Sequence, residues 1–421
     1  MRKLVALAVT LFLLLGSCPV GAAALTEAEV KELSLEECLK LAEQNNESIK
    51  LAEASLEQAK VGLKQAAEQD KKLRRAERDI DNSRQLTGSD SPLPDPARDE
   101  IRDAIWQAER ALAGFDVQLF REMGLWAAEE QKKIAQQGYE LSYTGVHLKV
   151  TQAYHDLFKA EKDIELAEAA HKAASEYARI TDLQVELGLA TEAQRISAQK
   201  TLADSIAAKE GAQAMYEAKK AALLKEIGLD FNTNIKLTAP ALEDEEFDFD
   251  SLLHEAMAQN ISIRAAKFQS EVAERKLGFL GSWYSPRVYE YQNAEVQAQE
   301  YRAKLSDTER SVENSVRSSY NLFLAAKEQL PAAEKAVIEA QENLRVTELK
   351  FKTGMAAQIE VLQAKQKLAQ AESNLTNVQK NYALATASLK AAQEGLVLLT
   401  SQGSESKSAV AFATLTGGGF N

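Results

Sequence analysis

The 421-residue chain carries 50 Lys and Arg against 63 Asp and Glu, a net charge of −13, with 45% hydrophobic residues, 7 Pro and 3 Trp. No proline falls between Pro96 and Pro240 or after Pro331, whereas an ordinary α/β enzyme of this length is punctuated by Pro and Gly every few tens of residues. The acidic balance argues against nucleic acid as a partner, and the Ala- and Leu-rich apolar fraction suits long helices packed through narrow seams.

The chain opens with Arg2 and Lys3, an apolar run from Leu4 to Leu15, and then small residues, the pattern of an export signal over residues 1–24. Two cleavage readings stand side by side. Leu15, Gly16, Ser17 and Cys18 form a lipobox-like sequence that would leave a lipidated Cys18 at the new N-terminus, whereas Ala22, Ala23 and Ala24 suit the ordinary signal peptidase. Cys38 is then alone in the mature part, which excludes a disulfide framework. No later apolar stretch approaches the length of a membrane-spanning helix.

Beyond the signal the chain repeats itself. Leu39, Ala42, Asn46, Ser48, Ile49 and Ala52 recur at one constant offset as Leu253, Ala256, Asn260, Ser262, Ile263 and Ala266. Val150, Tyr154, Ala160, Gly188, Ala190 and Ala198 recur at a second, smaller offset as Val316, Tyr320, Ala326, Gly354, Ala356 and Ala364. The difference between the two offsets places the extra sequence of copy one between Leu63 and Val150. That extra length is charged and helix-prone on both flanks of a loop holding Gly88, Pro92, Pro94 and Pro96.

In copy one, Val150, Ala153, Leu157, Ala160, Ile164, Ala167, His171, Ala174, Ala178, Thr181 and Val185 step by three and four. The same period runs from Val361 to Leu389 in copy two. Each rod breaks once, at ELGLAT (186–191) and KTGMAA (352–357), where Gly188 and Gly354 stop the incoming helix. Each copy is expected to be a long helical hairpin with a tight tip. The expected division is a first repeat over 25–230, a linker with one short strand over 231–250, a second repeat over 251–397 and a disordered tail over 398–421. In copy two only Trp283 to Tyr291 separate the helical patterns, too few residues for a pair of spanning strands. Trp283, Tyr284, Tyr289 and Tyr291 are expected to pack together or rest at a membrane interface.

The segments LSLEECLKLAEQNNESIKLA, SLLHEAMAQNISIRAA, AYHDLF, SYNLFL, VELGLATEAQRISAQ, FKTGMAAQIEVLQAK and LLKEIGLD, ordered and duplicated along the chain, resemble the TolC-type outer membrane efflux proteins. The resemblance implies a homotrimer whose hairpins close into a hollow α-helical tunnel, working with a periplasmic adaptor and an inner-membrane pump. It also implies a β-barrel of four strands per subunit, from which this sequence departs. The expected class is therefore all-α, two repeated coiled-coil-like hairpins forming a trimeric α-helical barrel, with barrel strands absent or vestigial.

By the same resemblance Gly188, Leu189, Ala190, Gly354, Met355 and Ala356 are candidate adaptor contacts, and Glu360 and Gln363 a pore constriction. The plainer readings are small residues that a tight tip demands and an exposed Glu just inside a helix. His147, His155, His171 and His254 have no partner at metal-ligand spacing, and no nucleophile or phosphate-loop motif occurs, so no enzyme, metal or cofactor is expected. The expected role is an envelope or periplasmic tunnel component of a tripartite efflux or type I secretion system, at the outer membrane or in the periplasm, with a lipid anchor at Cys18 under one cleavage reading. The alternative is a non-conducting lipid-anchored scaffold or coiled-coil spacer.

Overall fold

The computed structural model describes residues 31–88, 91–242 and 244–397. The expected export signal over 1–24, Cys18 and the expected tail over 398–421 lie outside the described residues. A short strand β1 (Lys31–Leu33) leads into α1 (Leu35–Asn45) and α2 (Glu47–Leu86). After the proline loop come α3 (Asp95–Leu112) and α4 (Phe115–Leu119), a π-helical turn over Phe120–Gly124, and the 62-residue α5 (Leu125–Glu186). The chain returns along α6 (Glu192–Ile227), passes through β2 (Ile235–Leu237), and repeats the plan. The second copy comprises α7 (Phe249–Gln259), α8 (Ile261–Trp283), the 64-residue α9 (Tyr289–Lys352) and α10 (Gln358–Gln393).

The boundaries follow from capping chemistry set down twice. Ser34 Oγ accepts from Glu37 N while the Glu37 carboxylate accepts from Ser34 N, a closed capping box at the start of α1. Its counterpart in copy two is Asp248, whose carboxylate accepts from Ser251 N. Asn46 and Asn260 then break the chain between the short and long helices, each accepting from the N–H two residues on at 2.8 and 2.9 Å. A polar side chain that satisfies an orphan donor fixes the start more sharply than propensity does, which is why both copies restart at equivalent residues.

α5 and α9 are the two long axes, each about 95 Å at 1.5 Å per residue. α9 runs without a break through Pro331. α6 packs along the second half of α5 and α10 along that of α9, while α2 and α8 cover their first halves. The two hairpins meet through α5 and α10. Asp163 faces Ser373, Asp156 faces Lys380, and Thr144 meets Glu394; the numbers rise on one helix as they fall on the other, so the pair is antiparallel. Because α5 enters the first tip and α10 leaves the second, both tips lie at the same end.

The large apolar side chains gather at the waist rather than along the rods. Leu33, Val150, Tyr154, Leu157, Leu223, Leu224 and Ile227 form one cluster, and Leu252, Val312, Val316, Phe323, Tyr382 and Leu389 the other. β1 pairs in parallel with β2, Leu33 opposite Leu237, and the Tyr154 hydroxyl lies 2.7 Å from the Thr238 carbonyl at the end of that ribbon. Its repeat counterpart Tyr320 donates to the carbonyl of Phe247 at 3.3 Å. The same tyrosine thus pins a connecting segment onto a long helix in each copy.

β1 and β2 are the strands among the described residues, and each has three residues, against the 9–11 that a membrane-spanning strand needs. α3 and α4 fill the extra length of copy one, and a short turn over 284–288 joins α8 to α9. No described helix is long and apolar enough to cross a membrane.

Candidate functional site

The two tips are built alike. At the first, Gly188 N donates to Val185 O at 3.0 Å and Leu189 N to Gln184 O at 2.7 Å. At the second, Gly354 N donates to Phe351 O at 3.0 Å and Met355 N to Lys350 O at 2.7 Å. This pair of bonds is the Schellman closure, which requires a left-handed residue one position past the helix. Gly188 sits at φ +71° and Gly354 at +74°, where a residue with Cβ is strained. The closure turns the next side chain outward, leaving Leu189 75% and Met355 77% exposed. Ala190 and Ala356 complete the turns half-buried.

The exits differ. Thr191 and Gln194 close a reciprocal capping box, Thr191 N donating to Gln194 Oε1 at 2.7 Å and Gln194 N to Thr191 Oγ1 at 3.3 Å. In copy two the cap position is Ala357, which has no acceptor, and only half of the box remains: Ala357 N donates to Glu360 Oε1 at 3.1 Å. Glu360 is therefore an exposed carboxylate that also starts α10, and Gln363 is exposed less than one turn further on. The structure brings the six tip residues to one end of the molecule and places Glu360 and Gln363 in the first turns above one of the tips.

The histidines are dispersed. His147 lies 2.6 Å from Glu43, His171 Nδ1 lies 3.2 Å from Ser205 Oγ across the seam between α5 and α6, and His254 is exposed. His155 is buried, and desolvation followed by the nearby Lys380 lowers its pKa to about 4 against a weaker opposing pull from Asp156.

Sequence reasoning missed the polar link beside it. Asp156 receives hydrogen bonds from Lys219 of α6 and Lys380 of α10, both at 2.9 Å. Burial alone would raise this carboxyl, but the two ammonium groups outweigh it and hold the group below the usual carboxylate range. Lysines on the return helices of two different hairpins gave no local signal of meeting on one carboxylate.

At the end away from the tips, Phe115 packs against Phe279, Trp283 and Tyr284 with centroids 5.4, 5.5 and 6.0 Å away. Of the expected grouping, Trp283 and Tyr284 each pack on Phe115, whereas Tyr289, the first residue of α9, is 80% exposed.

The family profile described as Outer membrane efflux protein matches residues 287–393. Outer membrane protein TolC of Vibrio cholerae is 26% identical over 318 residues, covering 64% of this chain and 72% of the relative. Among solved structures, the Campylobacter jejuni CmeC outer membrane channel superposes with a TM-score of 0.57 at 13% identity, over 91% of this chain and 89% of the channel. The Vibrio cholerae outer membrane protein VceC gives 0.58 at 16% identity, over 86% and 96%. At such identities the superpositions establish the fold.

Proposed function

We propose that this chain, a TolC-type outer membrane efflux protein by its second hairpin and its fold, is the tunnel component of a tripartite efflux or type I secretion system. In this reading three copies set their hairpins side by side around a hollow axis in the cell envelope. The tips from Gly188 to Ala190 and Gly354 to Ala356 receive a periplasmic adaptor, and an inner-membrane pump supplies the cargo. Glu360, with Gln363 beside it, lines the narrow end, where three carboxylates would favour cations and raise one another's pKa values. The matching family profile is described as Outer membrane efflux protein and a similar solved structure as an outer membrane channel, which favours transport over an enzyme and over a scaffold or coiled-coil spacer.

The observation that carries the reading is the pair of matched Schellman tips at one end, each presenting an exposed apolar side chain, Leu189 and Met355. Two equivalent apolar knobs held by identical backbone geometry suit a partner that engages both hairpins. The test is the mass of the purified protein by light scattering, with a negative-stain image. Three times the 46.2 kDa of the chain, less any removed signal, with a hollow end view is expected. A monodisperse monomer or dimer would overturn the tunnel.

A further inference from the structure

We propose that the open face of α9 around Leu322 is the seat for α6 of a second copy of this chain, in the register in which α10 already sits on α5 within one chain. Only the number of copies rests on the tunnel reading; the contact follows from the duplication. The strong helix packing runs from α6 to α5 to α10 to α9, so α6 and α9 are the two ends of a row. At its centre α10 meets α5. Lys380 donates to Asp156 at 2.9 Å and Ser373 to Asp163 at 2.7 Å, while Lys219 of α6 donates to the same Asp156. Both sides of this seam are covered, His155 being 2%, Ser373 5% and Thr376 6% exposed.

The offset that carries Tyr154 to Tyr320 and Gly188 to Gly354 lays α5 on α9 and α6 on α10. It takes His155, Asp156 and Asp163 to Asn321, Leu322 and Gln329, and it takes Ser373, Thr376 and Lys380 back to Ala207, Glu210 and Ala214 of α6. All six counterparts are exposed, Leu322 at 63%. The two bare faces are thus the two sides of one seam, standing at opposite ends of the row. A groove between α9 and α10, lined by Ser319, Leu322, Gln329, Asn381, Leu384 and Ser388, is the counterpart of the angle between α5 and α6 in which α10 lies. Ends that complement each other join head to tail, and such a contact closes into a ring when the rotation per copy divides a full turn. The register places Leu322 against Ala214 of the next copy and Gln329 against Ala207. Glu210 and Glu217 stand one turn to either side of Ala214 on the same face of α6. A carboxylate at 322, the counterpart of Asp156, would meet like charge there, and leucine does not. The seam within a chain is therefore tied by an ion pair, and the seam between copies by apolar contact.

The experiment uses the full chain carrying Cys18→Ser and Cys38→Ala, with Leu322→Cys in one tagged version and Ala214→Cys in another, and the short thiol crosslinker bismaleimidoethane. A linked dimer is expected when the two versions are expressed together and from neither alone, because each copy offers a different face to the contact. Replacing Ala214→Cys by Ala207→Cys, about 10 Å along the helix, should lose the link to position 322. Leu322→Asp should weaken assembly roughly a hundredfold, as a buried unpaired carboxylate does, and adding Ala214→Lys, which rebuilds the Asp156–Lys380 pair between copies, should recover at least roughly tenfold. A dimer formed by the Leu322→Cys version alone, a link at Ala207 as efficient as that at Ala214, or no recovery with Ala214→Lys overturns the proposal. No link in the mixture while the mass shows a trimer also overturns it and leaves the tunnel reading standing. If both cysteines placed in one chain give a ladder that closes at a number other than three, the seam holds and the three-copy tunnel fails.

Discussion

His155 stays neutral in the folded chain at pH values where the unfolded chain would protonate it. Its pKa of about 4 lies below the ordinary value near 6.5, so above pH 6.5 both states are neutral and the residue costs nothing. Between 6.5 and 4 the unfolded state binds a proton that the folded state refuses, and stability falls as pH falls. The loss reaches about 3 kcal/mol at pH 4, from 1.36 kcal/mol per unit. Asp156, held low by its two lysines, adds a further loss only below the usual carboxylate value near 3.9, so the two windows separate. Urea midpoints measured from pH 7.5 to 4.5 should decline for the native protein and flatten in His155→Gln. An equal slope in both would mean that the imidazole is not desolvated. The residue scale is also where the sequence was least informative, since a lone histidine next to an aspartate does not reveal that two lysines from other helices complete the group.

At the scale of elements, duplication made most of the fold legible. α1 and α7 start and end at matching positions of the two copies, Leu35 with Phe249 and Asn45 with Gln259. α6 and α10 match in the same way, Glu192 with Gln358 and Ile227 with Gln393. Heptad seams carried the rods, because Ala alternating with larger residues is a long-range pattern that survives in a single sequence. β1 was not legible. Its three residues have no alternation of their own, and it exists because β2 pairs with it from beyond the whole first hairpin. The π-helical turn at Phe120–Gly124 was invisible for a similar reason, since one extra residue per turn leaves no compositional mark. The tips were legible because glycine there answers a backbone demand. A Cβ added at Gly188 or Gly354 meets no atom within 4 Å, so substitution is opposed by conformation alone. Asn, which tolerates the left-handed region, should therefore cost less than Ala, and Ala less than Val, with Val costing about 1–3 kcal/mol per site. Denaturation midpoints for the three variants at Gly354 check the order. Equal midpoints for Asn and Val would show that the turn does not depend on positive φ.

At the scale of the whole molecule, two kinds of packing divide the work. The waist buries Tyr, Leu, Ile and Phe, each contributing about 1.5–3 kcal/mol when removed from water. The rods below it bury mostly alanine, Ala160, Ala173, Ala174, Ala178 and Ala198 among them, and gain less per residue. The tip half is thus the more weakly held half, and polar contacts between the hairpins weigh more there. Asp156 joins α5 to both α6 and α10, and seven residues toward the tips Asp163 accepts from Ser373 at 2.7 Å. Lys219 is more than a third exposed, so solvent screens that arm and the α5–α10 arm dominates. Asp156→Asn with Ser373→Ala should leave each hairpin's apolar seam intact but free the second hairpin from the first at a cost of about 2 kcal/mol. Local opening would then be roughly thirtyfold more frequent. Hydrogen–deuterium exchange should accelerate by that factor along the first half of α10 and at both tips, with unchanged protection in the waist helices α1 and α7 and unchanged helical circular dichroism. Exchange that accelerates everywhere would mean that the substitutions unfold the protein globally, and exchange that does not change at the tips would mean that the hairpins are held together by their alanine seams alone.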